Sequence, residues 1–397
     1  MMDLHYIING KKVAFDNSDM QTILATAHEA RQRPLCTCKS PYSEMYIAKV
    51  NQHYIVKRMP ETGHQHSAEC VSYEIPVELS GLGQITGTAI QENIEDGTTA
   101  LKFDFSLSKG ASRNAPIASG MEQDSVKTDG NKLGLRATLH YLWEQAEFNK
   151  WSPAMATKRN WYIVRKFLLE AAKNKTAKGS SLDSLLYIPE TFHLDKKDEI
   201  TKRRLASTSL LHNTETKSQK LMIMIGEVKE IKEARYDFKI VVKHLPDYHI
   251  MLNADIHRRL IKRFATEIEL WSADETSHLM VIGVFGAKAS GIASFEEVAL
   301  MVVNENWIPY DNIDELRLLN KLTRSNHKFT KSLRYNVPST TPLASAVLHA
   351  YKNTALFICP ATASDTYKNS LNTLMEESKM DFWLWDAGSE EIPTLPA

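Results

Sequence analysis

Four cysteines among 397 residues are too few for a disulfide-built scaffold, and three of them fall between positions 36 and 70. In chains this poor in cysteine, clustered thiols point to a metal site rather than to cross-links. The fourth, Cys359, sits in the apolar run ALFIC and reads as a buried, inert thiol. No stretch reaches the ~18 successive apolar residues of a membrane span, and the opening MMDLHYIINGKK lacks a signal peptide's apolar core and cleavage site. The expectation is a cytoplasmic protein without a membrane segment. Lys plus Arg and Asp plus Glu both number 48, so there is no global excess of charge, and any contact with a polyanion needs a local patch. The motifs GxxxxGK(S/T), GxGxxG, HExxH and GxSxG are absent, which argues against P-loop hydrolysis, Rossmann oxidoreduction, zinc proteolysis and serine-hydrolase chemistry.

What is present is enough apolar material, 43% of residues, for two to four domains at ~100–200 residues each. The stretch PLCTCKSPYSEMYIAKVNQHYIVKRMPETGHQHSAEC (34–70) carries the clearest chemistry. Zinc takes four N or S donors in a tetrahedron, and two short-spaced pairs flanking a hairpin supply them without strain. Cys36 with Cys38 forms one pair, and His66 with Cys70 the other; His64 competes with His66 for the fourth place. Between them MYIAKV and HYIVKRM, joined by Asn51-Gln52, read as two strands, the layout of a zinc ribbon, in which His53 is a pairing residue. A closed Cys3His set is structural, because catalytic zinc keeps a coordination position open. Lys49, Lys57 and Arg58 on the hairpin could touch phosphate or simply form a solvated strand face.

The fold class expected is multidomain, α+β to α/β. Residues 1–108 form a β-rich module with the zinc-ribbon-like site, and 109–132, polar and rich in Gly and Ser, a linker or mobile loop. Over 133–180 two helical segments break at Ser152-Pro153. The second carries Lys158, Arg159, Arg165 and Lys166, which suggests a helix-turn-helix-like connector with Trp143, Trp151 and Trp161 as its small core. Residues 181–397 form a mixed α/β domain. Its strands SLLYIP, LMIMIGEVKEI, YDFKIVVKHL, HLMVIGVFG and EVALMVV, with the basic helix ADIHRRLIKRFATEIELW after the third, resemble a restriction-endonuclease-like core.

That core would cleave phosphodiesters with carboxylates on Mg2+ and a lysine to position water. Glu227-Val-Lys229 follows a buried apolar run, and alternation would place both side chains on one face. Glu190, ending another apolar strand, is the matching acid; a second registration uses Glu227 with Asp237-Phe-Lys239. Alternating charges on a solvated strand explain the same residues, and His244 and His249 read as structural.

Taken together, CTC, MYIAKV, KRMPETGHQHSAECVSYE, SGLG, HYLWEQAEFNKWSP, LYIPETF, GEVKEI, KHLPD and FWLWDAG resemble a bacterial family of unknown function, with proteins of about this length often encoded on integrating or conjugative elements. The resemblance implies Cys36, Cys38, His66 and Cys70 as metal ligands and a mobile-element or host-defence context; it implies no activity. The functional expectation is a zinc-containing, DNA-associated protein, in its catalytic form a Mg2+-dependent nuclease using Glu190, Glu227 and Lys229. The alternative is a non-catalytic, zinc-stabilised subunit that docks protein partners.

Overall fold

The computed structural model describes residues 5–50, 52–110, 131–212, 219–287, 291–350, 352–388 and 391–396. Most of the expected 109–132 linker lies outside the described residues. The chain opens on a hairpin, β1 (His5–Ile8) and β2 (Lys11–Ala14). Its turn residues Asn9 and Gly10 both take positive φ, 54° and 72°, as a two-residue hairpin demands. Then follow α1 (Met20–Glu29), β3 (Leu35–Cys36), β4 (Ser43–Val50) and β5 (His53–Arg58). The sheet order is β2-β1-β3-β4-β5. Tyr6, Ile8, Leu24, Met45 and Ile47 gather with Cys36 and Cys70 into a separate small core. The expected hairpin is thus the edge of a five-stranded sheet with a helix packed on it, a larger body than a bare ribbon.

The middle of the chain builds β6 (Ile90–Glu92), β7 (Thr99–Leu101), β8 (Ser108–Lys109), α2 (Leu135–Gln145), β9 (Lys150–Trp151) and α3 (Trp161–Ala172). It continues through β10 (Lys175–Ala177), β11 (Ser180–Ser181), α4 (Leu182–Leu185), β12 (Leu186–Tyr187), α5 (Lys197–Ser207) and β13 (Gln219–Lys220). Strands β11-β10-β7-β6 make one sheet, and β8 pairs with β13. Helix α2 buries Leu135, Ala137, Leu139, Tyr141, Leu142 and Trp143, more than one face, as a core helix does. Trp143, Trp151 and Trp161 are all buried.

The C-terminal half holds β14 (Met222–Glu233), β15 (Phe238–Val242), β16 (Ile250–Leu252), α6 (Ala254–Arg263), α7 (Ala265–Ala273), β17 (His278–Ala287) and β18 (Ala293–Val303). With β12 beside β14 in parallel, the sheet runs β12-β14-β15-β16-β18-β17, and β17 pairs back onto β14, so the last five strands close into a ring. The long β14 makes closure possible: its first half, Met222–Glu227, pairs with β17, and its second half, from Val228, with β15. A bulge between Val228 and Glu230 bends the strand where it changes partners. Five antiparallel-dominated strands in this order, with helices between the third and fourth, have the connectivity of the oligonucleotide/oligosaccharide-binding (OB) barrel. The closed ring stands where an open, restriction-endonuclease-like sheet was expected.

The chain ends with α8 (Ile313–Arg324), β19 (Lys328–Lys331), β20 (Ala346–His349), β21 (Thr354–Cys359), α9 (Asp365–Glu377) and β22 (Asp381–Asp386). Their sheet, β22-β21-β20-β19-β9, recruits β9 from beside α2. One continuous core runs from Ile85 to Trp385, so the helical pair, the barrel and this sheet are packed together.

Candidate metal centre

Cys36 ends β3, pinned by backbone pairing to both β1 and β4, and Cys38 follows in the loop. The second pair comes after β5: a 3-10 turn, Gly63–Gln65, leads into His66, and Cys70 closes the next turn. Gly63 is required there, since a Cβ would lie 2.6 Å from the Cβ of Glu74. Ser43 donates its hydroxyl to the Gln65 carbonyl at 3.3 Å, tying this turn to β4.

The four donor atoms lie within 4.8 Å of one another. Zn–S of ~2.3 Å and Zn–N of ~2.0–2.1 Å at tetrahedral angles require S···S near 3.8 Å and S···N near 3.5 Å. Cys36 Sγ lies 3.8 Å from Cys70 Sγ, while His66 Nδ1 lies 3.4 Å from Cys38 Sγ and 3.7 Å from Cys70 Sγ. The spacing therefore fits zinc held through Nδ1. His66 is 2% exposed, whereas His64 on the preceding turn is exposed and outside the cluster.

The surroundings favour thiolate. The Ser67 N–H donates to Cys38 Sγ at 3.3 Å and the Ser72 N–H to Cys70 Sγ at 3.5 Å, bonds that orient a ligand and spread its charge. Hydrogen bonds from Cys36 and His66 bring the Cys70 thiol down to about 4, against the pull of burial. Cys36 moves the other way, pushed up by its hydrogen bond to Cys70 and by burial, and burial raises Cys38. Without a cation these thiols cannot all ionise side by side; a dication removes that conflict. Cys36 and Cys70 are buried and Cys38 half-buried, and an ion held here would have all four tetrahedral positions filled by protein, with none open to substrate.

The structure gives the three residues expected to serve a nuclease separate sets of contacts. Glu190 is held by Arg203 Nε at 2.9 Å. Glu227, 3% exposed, accepts from Lys243 Nζ at 2.5 Å and lies 2.6 Å from His278 Nδ1. Its carboxyl stays below the usual range, because these bonds outweigh the burial that would raise it. Lys229 is exposed: it is the extra residue of the bulge, which interrupts the alternation that would have set it beside Glu227. Of the second registration, Asp237 is exposed in the β14–β15 turn, and Lys239 lies on β15 opposite Lys232. His244 stacks on Trp161, centroids 5.4 Å apart, and His278 on Trp307 at 4.2 Å. Sequence reading missed His278 and Lys243 as Glu227's partners, since neither is close to it in sequence.

Fold and site together define a mixed α+β protein with a buried Cys3His cluster able to hold a metal ion, and no described helix is long and apolar enough to cross a membrane. The family described as "Protein of unknown function (DUF1173)" matches over residues 6–388, and the chain belongs to it. No curated protein and no solved structure matches the chain.

Proposed function

We propose that this is a zinc-stabilised protein that binds single-stranded DNA on the outer face of its barrel, with the zinc purely structural. The observation that carries the reading is the β14–β15 hairpin. At its tip Tyr236 is 84% exposed, with the Arg235 guanidinium 5.1 Å from its ring centroid. OB barrels bind oligonucleotides on the second and third strands and on the loop joining the first two, which here is this tip. Behind it a cross-strand row of Lys232, Lys239 and Met251 runs over β14, β15 and β16. Lys229, Lys232 and Lys239 act on the Glu230 carboxylate, which its hydrogen bond to Lys232 holds below the usual range. Cations tracking a backbone beside an exposed ring are what a single strand requires. The exposed side chains stand at the position where barrels of this connectivity hold their ligands.

Anisotropy titrations with labelled single strands test this. One stacked base contributes ~1–3 kcal/mol, so Tyr236→Ala is expected to weaken binding about 5- to 150-fold. Lys239→Gln should flatten the plot of log K against log salt by about 0.7. Absence of binding at low salt, or variants that bind like the parent, would overturn the reading. Preference for duplex DNA or RNA would reassign the ligand.

A further inference from the structure

A second candidate site lies away from both the metal and the barrel, where the metal-bearing module meets α2, α3 and β10. A cavity of about 610 Å3 opens there, with Lys57, Lys158, Lys173 and Lys175 and the rings of Phe148 and Phe167 among its walls. Its volume is within the range of small-molecule sites, ~300–1,000 Å3. Lys175 sets it apart. It begins β10, paired with Thr99 of β7, and is 9% exposed, yet among the described residues no acceptor bonds its ammonium and no carboxylate pairs with it. Its Nζ lies 5.9 Å from the centroid of the Tyr141 ring. A nearly buried lysine without an anion is costly unless a ligand supplies one.

The surrounding charges do not satisfy it. Lys57 gives a hydrogen bond to the Gly97 carbonyl at 2.6 Å, and Lys173 pairs with Glu170 at the rim. Glu147 is held by Lys150, and Arg159, also in the wall, is committed to the carbonyls of Phe148 and Asn306. Glu92, whose field reaches Lys175, already pairs with Arg58. Burial, then the repulsion of Lys57, brings Lys175 down to about 8, so it remains mostly charged at neutral pH and gains most from an incoming anion.

We propose that this cavity binds the phosphate of a nucleotide, with Lys175 as its buried contact, Lys57 and Lys158 as supporting cations, and the half-exposed Phe167 ring available to the base. The phosphate can belong to a free nucleotide or to the 5′ end of a strand, which the chemistry of the pocket does not distinguish. The proposal does not rest on DNA binding by the barrel.

The test is isothermal titration of the full chain with inorganic phosphate, adenosine monophosphate and a 5′-phosphorylated oligonucleotide beside its unphosphorylated twin. Lys175→Met, neutral and close in length, removes only a buried charge, so the fold is expected to persist. It should lose about tenfold or more in phosphate affinity, and Lys175→Arg should restore part of it. Nucleotide binding identifies the free ligand, and a preference confined to the phosphorylated oligonucleotide identifies a strand end; either upholds the pocket. If none of the phosphate probes binds, or the folded Lys175→Met chain binds them equally, the proposal is wrong. Tyr236→Ala should leave this affinity unchanged, which separates the two sites.

Discussion

Replacing Cys70 with serine is expected to abolish metal binding and unfold the N-terminal sheet while the barrel stays folded. Cys36 and Cys70 are part of the small core of that sheet, among Tyr6, Ile8, Leu24 and Met45. That core is separate from the one running from Ile85 to Trp385. A core of this size is marginal by itself and gains most from a staple. In zinc-finger peptides the metal supplies ~10–16 kcal/mol of apparent binding free energy at pH 7, more than such a core provides by itself. Hydrogen exchange makes the check: protection over β3, β4 and β5 should collapse in Cys70→Ser and after chelation, with β14, β17 and β18 still protected. Unchanged protection in the metal-free variant would refute a structural role.

The second large effect lies at Asp311. Its carboxylate accepts from Arg136 and, at 3.0 Å, from Arg334 Nε; Arg136 also meets Glu267 at 3.0 Å. Burial pushes the Asp311 carboxyl up, but Arg136, Lys331 and Arg334 together carry it well below the usual range. Asp311→Asn takes the carboxylate from Arg334 and leaves Arg136 with Glu267 alone, and breaking a buried pair from one side costs ~3–5 kcal/mol. The pH dependence follows from the depressed folded value. Asp311 contributes fully above its unfolded pKa of about 3.9 and loses that contribution as pH falls toward the folded value. Urea midpoints should therefore separate parent and variant widely at pH 7 and progressively less below pH 4. A separation that is constant with pH would assign the loss to packing instead.

What could be read from the sequence followed the range of each signal. The Cys3His cluster was legible because its spacing is local: two residues from Cys36 to Cys38, four from His66 to Cys70. The choice between His64 and His66 was not, since it turns on which ring a 3-10 turn points inward. The barrel escaped because one member, β16, is three residues long, and without it the remaining strands resemble an open sheet. Strand β14 looked like one element with one alternation, yet it serves two partners through a bulge that no pattern of apolar residues marks. That bulge separates Lys229 from Glu227. Lys175 sits in NKTAKG, where nothing local signals burial; parallel pairing with β7, some 75 positions earlier, puts it inside.

The most direct test of the account is X-ray absorption at the zinc edge on the purified chain, with metal content measured on the same sample. The account predicts one zinc per chain in a shell of three sulfurs at ~2.3 Å and one nitrogen at ~2.0–2.1 Å, unchanged in His64→Ala and lost in Cys70→Ser. A chain without zinc, a shell containing a water oxygen, or a nitrogen ligand that disappears with His64 would contradict it.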